Sequence, residues 1–356
     1  MDCLAESLQA SSNAALELGA PLGSDLKITG ILGEGGTAIV YSAFHRVLAR
    51  EVAVKLCTVR GPHLAEAQMR LIYEAKMCAS VRDPRVPRIY GLDRLEDGTP
   101  YLVMEKVTGE ALSRTLRRWR VPVRYACDAL SNLLDTLDSV HRAGLVHRDL
   151  KPSNLLVDLR PEATRPLHLI DFGIAKTIQP DREYPEITRH GTLVGTPQYM
   201  APEQIAGHAD ARSDIYSAGI VFYEMLAGSS PWAGQSVTGM LASILCEPIP
   251  KLQSLRPGLP SSVSAVVEKA TARVASSRFQ SAREMRAALA RATSELVALG
   301  PRAEFEALAL VQPDEGALAT TERVDHEAHL LPTVTAVPRR AHAPRSEGVT
   351  HTKTMR

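Results

Sequence analysis

Short runs of alternating hydrophobic and polar residues dominate the first part of the chain, from about residue 26 to residue 100. Segments 27–32 and 39–44 flank a glycine cluster, and segment 51–56 alternates in the same way. Such alternation is typical of strands that bury one face. Segment 64–80 instead repeats its apolar residues at helical spacing. The pattern predicts a small strand-rich unit that contains one helix.

Beyond about residue 109 the apolar spacing becomes mainly helical. Two short apolar runs, 155–157 and 167–170, are exceptions, and we predict that they pair as an antiparallel hairpin. A strand-rich lobe followed by a larger helical lobe predicts an α+β, two-lobed fold with a ligand-binding cleft between the lobes. The predicted helices of the second lobe cover 125–143, 215–226, 237–246 and 261–273.

Both ends of the chain differ from its centre. Residues 1–24 are rich in small residues and are predicted to be a flexible extension. The folded unit is predicted to cover 25–295, divided into an N-lobe (25–107) and a C-lobe (108–295). In 296–356 prolines and threonines recur and aromatic residues nearly vanish, which predicts a largely disordered tail with a short helix near 302–310.

Composition and charge exclude several classes of protein. The 356 residues are 45% hydrophobic and 23% charged, as in ordinary globular proteins. A formal charge of +1 gives no electrostatic reason to expect a nucleic-acid or membrane partner. The five scattered cysteines form no CxxC pair, which fits a reducing compartment. We find neither a secretory signal nor a run of about 20 apolar residues, so a cytoplasmic protein without a membrane span is expected.

The glycine cluster is the first candidate binding element. Gly33, Gly35 and Gly36 lie between two predicted strands. Glycines let a backbone approach a phosphate closely and direct its N–H groups at the anion. A simple hairpin turn uses the same residues, so this motif alone leaves both interpretations open.

Lys55 and Glu74 form a candidate pair. Lys55 shares a strand face with Ala53, because side chains alternate along a strand, and this suits a flat ring near Ala53 with phosphates at Lys55. Glu74 lies on the apolar stripe of the predicted helix, with Leu71 and Cys78. A buried carboxylate needs a cationic partner, and we predict Lys55. The alternatives are a solvated edge lysine and a solvated glutamate.

The predicted hairpin gathers the remaining candidate chemistry. Asn154 precedes its first strand and Asp171 follows its second, so the two residues should meet. Their oxygens are hard ligands suited to a Mg²⁺ ion that carries a polyphosphate. Asp149 is close enough to accept a proton from an incoming hydroxyl, and Lys151 can neutralise a moving phosphoryl group. A polar surface loop is the alternative.

In combination and in this order, the motifs resemble those of eukaryotic-type (Hanks-type) serine/threonine protein kinases, and in particular the soluble bacterial members. The resemblance covers about residues 25–292. It implies the two-lobed protein-kinase fold, ATP and Mg²⁺ (or Mn²⁺) as cofactors, and transfer of the γ-phosphoryl group to Ser/Thr hydroxyls of proteins. The motifs are Gly33-x-Gly35 with Val40, Val52-Ala53-Val54-Lys55, Glu74, His147-Arg148-Asp149 through Asn154, Asp171-Phe172-Gly173 and Ala201-Pro202-Glu203.

The resemblance also implies a role for each matching residue. Asp149 would be the catalytic base, assisted by Lys151, and Asn154 and Asp171 would hold the metal. Met104 would be the gatekeeper beside the adenine. The implied nucleotide-binding set is Leu32, Gly33, Glu34, Gly35, Gly36, Thr37, Ala38, Ile39, Val40, Ala53, Lys55, Glu74, Met104, Glu105, Val107 and Leu156.

Structural roles are implied for three further residues. Glu203 would pair with Arg278, and Asp214 would anchor the backbone of the loop that carries Asp149. One departure from the family pattern is Ala38, which replaces the third glycine of the phosphate loop and should stiffen it slightly without disabling it.

Arg148 precedes the implied base, and in such kinases this arginine commonly binds a phosphate on the activation segment, here residues 171–203. We therefore predict autophosphorylation at Thr188 and Thr192 for signalling, and a structural role for Thr196. The threonines of the tail are predicted to recruit phosphothreonine-reading proteins, and an inert tail is the alternative.

Two other functions compete with a protein kinase. A pseudokinase scaffold usually lacks one of Lys55, Asp149, Asn154 and Asp171, all of which are present. A small-molecule phosphotransferase of the same fold should lack the peptide-docking segment 195–203, which is also present.

Overall fold

The computed structural model describes residues 16–59, 64–118, 120–158, 167–172 and 197–298. The predictions for the tail, including the helix near 302–310, and for Thr188, Thr192 and Thr196 lie outside these residues.

An antiparallel sheet of six strands forms the N-lobe, with the spatial order β1-β2-β3-β4-β6-β5. One helix, α1, packs against the sheet through Ala67, Leu71 and Ala75, which join Cys57 and Leu102 in a small apolar cluster. The strands are β1 (Pro21–Leu22), β2 (Leu26–Glu34), β3 (Ala38–His45), β4 (Arg50–Cys57), β5 (Ile89–Arg94) and β6 (Pro100–Glu105), and α1 is Leu64–Ser80.

The register of the sheet gathers four candidate residues on one face. Val40 on β3 lies opposite Lys55 on β4, and Ala53 lies opposite Met104 on β6. Directly opposed residues of antiparallel strands project to the same face, as do residues two apart on one strand. These four side chains therefore share a face, and the alternating residues Val52 and Val54 of β4 are fully buried on the other one.

The C-lobe is mainly helical and carries a small sheet of order β7-β8-β9. Helix α5 is buried along almost its whole length and packs against α3 and α8. The helices are α2 (Leu112–Arg118), α3 (Val123–Arg142), α4 (Pro202–Ile205), α5 (Ala211–Ala227), α6 (Val237–Cys246), α7 (Leu252–Leu255), α8 (Ser261–Ala270) and α9 (Ala282–Ala298), and the strands are β7 (Glu110–Ala111), β8 (Leu155–Val157) and β9 (Leu167–Leu169).

The two largest differences from the predicted helix ends lie in α5 and α8. Helix α5 begins four residues earlier, because the Asp210 carboxylate accepts from the backbone N–H of Arg212 and forms a capping box with Ser213. Its polar first turn shows no apolar periodicity, so spacing alone missed it. Helix α8 ends at Ala270, three residues before the predicted end.

The predicted boundaries of the folded unit also need correction. Residues 16–24 belong to the N-lobe: Leu22 is buried, β1 pairs with β2, and the N–H of Leu16 donates to Tyr41 Oη at 2.9 Å. At the other end, α9 continues past residue 295 to Ala298, and Leu296 lies in the core of the C-lobe.

None of the helices that the structure describes is sufficiently long and apolar to cross a bilayer.

Gly219 on α5 packs closely against the C-terminal end of α8. A Cβ atom at this position would lie 2.8 Å from Thr271 Cγ2 and 2.9 Å from Ala270 Cβ. Thr271 is held in place because its hydroxyl donates to Val267 O at 2.8 Å. The helix interior would ordinarily favour alanine by about 1 kcal/mol, but this contact should outweigh that gain.

We expect Gly219→Ala to lower the free energy of unfolding by about 1–2 kcal/mol, measured by urea denaturation. Gly239→Ala on α6 is the matched control, since a Cβ there meets a single side-chain oxygen of Ser236 at 3.2 Å. A Gly219→Ala protein as stable as this control would show that α5 and α8 are not closely packed.

Candidate active site

Lys55 lies between two carboxylates at the centre of the cleft. Its Nζ donates to Glu74 Oε1 and Oε2, at 2.7 and 2.9 Å, and to Asp171 Oδ1 at 2.7 Å. The side chains of Lys55 and Glu74 are only 12% and 13% exposed. The structure thus brings together a strand of the N-lobe, helix α1 and the end of the β8–β9 hairpin through one ammonium group.

Burial and charge act in opposite directions on these three groups. Burial works to lower the pKa of Lys55, but Asp171 and Glu74 outweigh it and raise the pKa above its ordinary value. Burial raises the pKa of Glu74 to about 7, against the lowering effect of Lys55. Desolvation also works to raise the pKa of Asp171, but Lys55 outweighs it and keeps this pKa low. Lys55 therefore remains a cation, and Asp171 remains the more acidic of its partners.

The backbone of the loop 147–154 is held from two sides. The N–H groups of His147 and Arg148 donate to the two carboxylate oxygens of Asp214, at 2.8 and 2.9 Å. Asp214 is a buried residue of α5 and also contacts His141 Nε2 at 2.9 Å. On the other side, Gln204 Nε2 donates to the carbonyl oxygen of Arg148 at 2.6 Å. Arg148 has a left-handed backbone, with φ of 65°.

Asp149, Lys151 and Asn154 converge within this loop. Lys151 Nζ lies 2.9 Å from Asp149 Oδ2. Asn154 Nδ2 donates to Asp149 O at 2.9 Å and to Asp149 Oδ2 at 3.2 Å, and it lies 3.4 Å from Asp171 O. The N–H of Ile170 donates to Asn154 O at 2.9 Å, so the hairpin holds Asn154 beside Asp171 as the sequence predicted.

Phe172 follows Asp171 and belongs to the apolar core of the C-lobe. It is buried, and its ring centroid lies 4.9 Å from that of His147. Burial lowers the pKa of His147, although Asp214 and Asp149 oppose this effect. His147 is therefore neutral, packs against Phe172, and accepts from the N–H of Asp149 through its Nδ1 at 3.3 Å.

Asn154 and Asp171 are suited to Mg²⁺. One amide oxygen and one carboxylate leave most coordination positions to water or phosphate oxygens, which is how Mg²⁺ is usually bound in phosphate-transferring sites. The backbone of Asp171 is left-handed, with φ of 54°. In this conformation the Asp171 carboxylate points toward Lys55. The ammonium group of Lys55 is also the cation that a bound polyphosphate would contact.

The glycine cluster forms the tip of the β2–β3 hairpin, and residues 31–37 are exposed. The N–H of Gly35 donates to Ala38 O at 2.9 Å. Neither Gly33 nor Gly35 nor Gly36 is among the glycines with positive φ, and a Cβ on Gly33 or Gly36 would meet nothing within 4 Å. These glycines therefore leave space for a close approach of another molecule, and none of them is required by its backbone angles.

The predicted adenine contacts lie where the chain passes from one lobe to the other. Met104 is half-buried on β6, and Glu105 ends that strand. The N–H of Glu105 donates to Arg88 O at 2.8 Å, so the backbone group of Glu105 that can serve adenine is its carbonyl oxygen. Val107 follows in the connection to β7, and Leu156 is half-buried on β8.

Glu203 and Arg278 form the predicted ion pair. Arg278 Nη1 and Nη2 donate to the two oxygens of Glu203 at 2.7 and 2.8 Å, and the Arg278 side chain is fully buried. Its guanidinium carbon lies 4.9 Å from the ring centroid of Tyr216. Burial works to raise the pKa of Glu203, but hydrogen bonds from Arg278 and Ser213 outweigh it and lower the pKa.

Sequence reasoning missed a polar network around the connection between α1 and β5. Arg85 Nε and Nη2 donate to the buried carboxylate of Asp83, and Ser139 on α3 also donates to it at 3.0 Å. The carbonyl oxygen of Arg85 accepts from the N–H of Leu169 at 2.9 Å, two residues before Asp171. Gln204 was missed for the same reason: the sequence does not show which distant group each of these residues contacts.

Similar proteins are known. The family profile described as "Protein kinase domain" matches residues 26–293. The chain is 33% identical over 311 residues to serine/threonine-protein kinase PknH of Mycobacterium bovis, which covers 86% of this chain and 50% of PknH. It is 35% identical over 270 residues to PknA of Mycobacterium tuberculosis, which covers 74% of this chain and 60% of PknA. The chain thus spans only part of the length of these relatives.

A solved structure has the same architecture. The crystal structure of the PknI kinase domain from Mycobacterium tuberculosis superposes with a TM-score of 0.59 at 24% identity, covering 78% of this chain and all of that domain. At this identity the similarity concerns the fold alone, and it confirms the predicted α+β, two-lobed arrangement.

We expect Arg278→Met to lower the free energy of unfolding by about 3–5 kcal/mol, because it leaves the Glu203 carboxylate without its cation. Thermal and urea denaturation measure the change. Arg283→Ala is the control: Arg283 is 73% exposed and lies 3.3 Å from Asp138, so its loss should cost no more than about 1 kcal/mol. Equal losses in the two variants would contradict a stabilising role for the buried pair.

Proposed function

Because the chain belongs to the protein kinase family, we propose that it transfers the γ-phosphoryl group of ATP to Ser/Thr hydroxyls of proteins. The observation that carries this proposal is the convergence of Lys55, Asp149, Asn154 and Asp171 around one cleft. No other chemistry accounts as well for a cation, a metal-ligand pair and a candidate base at hydrogen-bond distances.

The nucleotide would occupy the face of the sheet that carries Val40, Ala53, Lys55 and Met104. We propose that Val40, Ala53 and Leu156 enclose the adenine, while Glu105 and Val107 offer it backbone groups. The segment from Leu32 to Val40, which is exposed as far as Thr37, would then cover the phosphates. Lys55 would bind the α- and β-phosphates while Glu74 keeps its ammonium in position.

Asn154 and Asp171 would hold Mg²⁺ or Mn²⁺, which neutralises phosphate charge when it is bound. Asp149 would accept the proton of the attacking hydroxyl. Its carboxylate is oriented by Asn154 and lies beside Lys151, whose ammonium is placed to neutralise the transferring phosphoryl group.

Two rival functions have less support. A pseudokinase scaffold has no need for the complete set of site residues, and these residues also contact one another at hydrogen-bond distances. A small-molecule phosphotransferase has no need for a segment that binds peptides ahead of Glu203. In this chain the end of that segment is anchored by the Glu203–Arg278 pair.

We expect Asp149→Asn to slow phosphoryl transfer to a protein acceptor by about 10²- to 10⁴-fold, because the acceptor hydroxyl loses its base. ATP affinity, measured by calorimetry with Mg²⁺, should remain within a few fold. Asp128→Asn, an exposed change on α3, should leave both quantities unaltered. Turnover by Asp149→Asn at the wild-type rate would refute the role of Asp149, and an inactive wild type would refute the proposed activity.

We further propose autophosphorylation of the activation segment at Thr188 and Thr192. Its support is the position of Arg148, which immediately precedes Asp149 and offers a guanidinium to a phosphothreonine.

Phosphopeptide mapping of wild-type protein incubated with Mg²⁺ and ATP should find phosphate on Thr188 or Thr192. The Asp149→Asn protein, treated identically, should carry none there. An active wild type in which both threonines are empty would contradict the proposal.

Two further proposals concern partners and location. The threonines of the tail, such as Thr333 and Thr350, would recruit phosphothreonine-reading proteins once modified. A cytoplasmic location is supported by the cysteines of the described residues, which are free thiols, as expected in a reducing compartment.

A further inference from the structure

Gln204 connects the end of the activation segment to the loop 147–154. It follows Glu203 on α4, and its Nε2 donates to the carbonyl oxygen of Arg148 at 2.6 Å. We propose that Gln204 is a positioning residue for Asp149, which acts by fixing the peptide plane that leads into this aspartate. The effects on kcat that follow from this inference rest on the proposed kinase activity, whereas the effects on the structure of the loop do not.

The peptide plane in question is held at both ends. Its oxygen belongs to Arg148 and accepts from Gln204, while its N–H belongs to Asp149 and donates to His147 Nδ1 at 3.3 Å. The orientation of a peptide plane sets the direction of the next Cα–Cβ bond. The contact with Gln204 therefore helps to fix the backbone from which the Asp149 side chain projects, while Asn154 and Lys151 contact its carboxylate.

Arg148 makes such a clamp necessary. A left-handed backbone is unfavourable for a residue with a side chain and persists only where the surroundings impose it. Asp214 accepts from the N–H of Arg148, and Gln204 donates to its carbonyl. These two contacts act on opposite sides of the strained residue, and removing either should let it relax toward ordinary angles.

Gln204 is itself firmly placed. Its neighbour Glu203 is fixed by the buried guanidinium of Arg278. A carbonyl oxygen only accepts, so the amide must present its NH₂ group to Arg148. The other end, Oε1, is buried and has no hydrogen-bond partner among the residues that the structure describes. The Arg148 contact is therefore what orients this amide, and the short α4 helix and the loop 147–154 should move together.

Two substitutions test this inference in the full chain. Gln204→Leu keeps the approximate volume and removes the donor. Gln204→Glu places a carboxylate against the Arg148 carbonyl, and this group donates only when it is protonated. Gln235→Leu, at an exposed position before α6, is the matched control.

Steady-state kinetics with Mg²⁺, ATP and casein provide the first measurement. We expect Gln204→Leu to lower kcat by about 10- to 100-fold, since a displacement of about 1 Å is enough for such a loss. Its KM for ATP should stay within about twofold, because the nucleotide-binding groups are untouched. The activity of Gln204→Glu, divided by that of the wild type at the same pH, should rise as the pH falls from about 8 to about 6 and the carboxyl gains its proton.

Amide hydrogen exchange provides the second measurement and needs no activity. Gln204→Leu should exchange faster than the wild type in peptides that cover residues 147–151, while peptides from the N-lobe stay unchanged. Unaltered exchange in 147–151 would overturn the inference, as would a wild-type kcat in Gln204→Leu. The inference would also be overturned if the substitutions caused a general loss of folded protein and the activity of Gln204→Glu relative to the wild type did not change with pH. That result would show a purely structural role for Gln204. An inactive wild type with faster exchange in Gln204→Leu would instead refute the proposed activity and keep the positioning role.

Discussion

The site depends on one ammonium group held between two carboxylates. Lys55 comes from the sheet, Glu74 from α1 and Asp171 from the end of the β8–β9 hairpin. Without the cation, the largely buried carboxylate of Glu74 would lie close to that of Asp171, which is 44% exposed, and at least one would have to take up a proton or move away. The position of α1 and the closeness of the lobes are therefore coupled to the charge of a single lysine.

The C-lobe also contains buried charges that need partners, but its partners include backbone groups. Burying an ion is unfavourable unless it is paired and hydrogen-bonded. Asp214 satisfies this condition by accepting from two backbone N–H groups of the loop 147–154, and Arg278 satisfies it through Glu203 and neighbouring carbonyl oxygens such as Ala272 O. Each buried charge thus holds a segment of irregular backbone: Asp214 holds the loop 147–154, and Arg278 holds the chain that follows α8.

How far the sequence predicts this structure depends on the kind of contact. Periodicity predicted 64–80 and 237–246 at the bounds they have, and the apolar stripe of the first helix correctly predicted the Lys55–Glu74 contact. The network of Arg85 and the hydrogen bond of Gln204 escaped prediction. Ser139 reaches Asp83, and Gln204 reaches the carbonyl oxygen of Arg148, each across 56 residues of chain, and such contacts leave no periodic trace. The packing of 16–24 escaped because two-residue strands are too short to show alternation.

The positions at which the structure requires glycine were also not predicted from the sequence. The sequence predicts that Ala38, in place of a third glycine, slightly stiffens the phosphate loop, and in the structure Ala38 begins the regular strand β3 opposite Cys57, without a positive φ. The strict requirement lies at Gly109, between the lobes: its φ is 134°, and a Cβ would lie 2.9 Å from the carbonyl oxygen of Val157 on β8. A glycine is thus needed where the connection between the two lobes packs against β8 of the small sheet. Motif spacing draws attention to the loop, whereas this steric constraint at Gly109 belongs to none of the motifs.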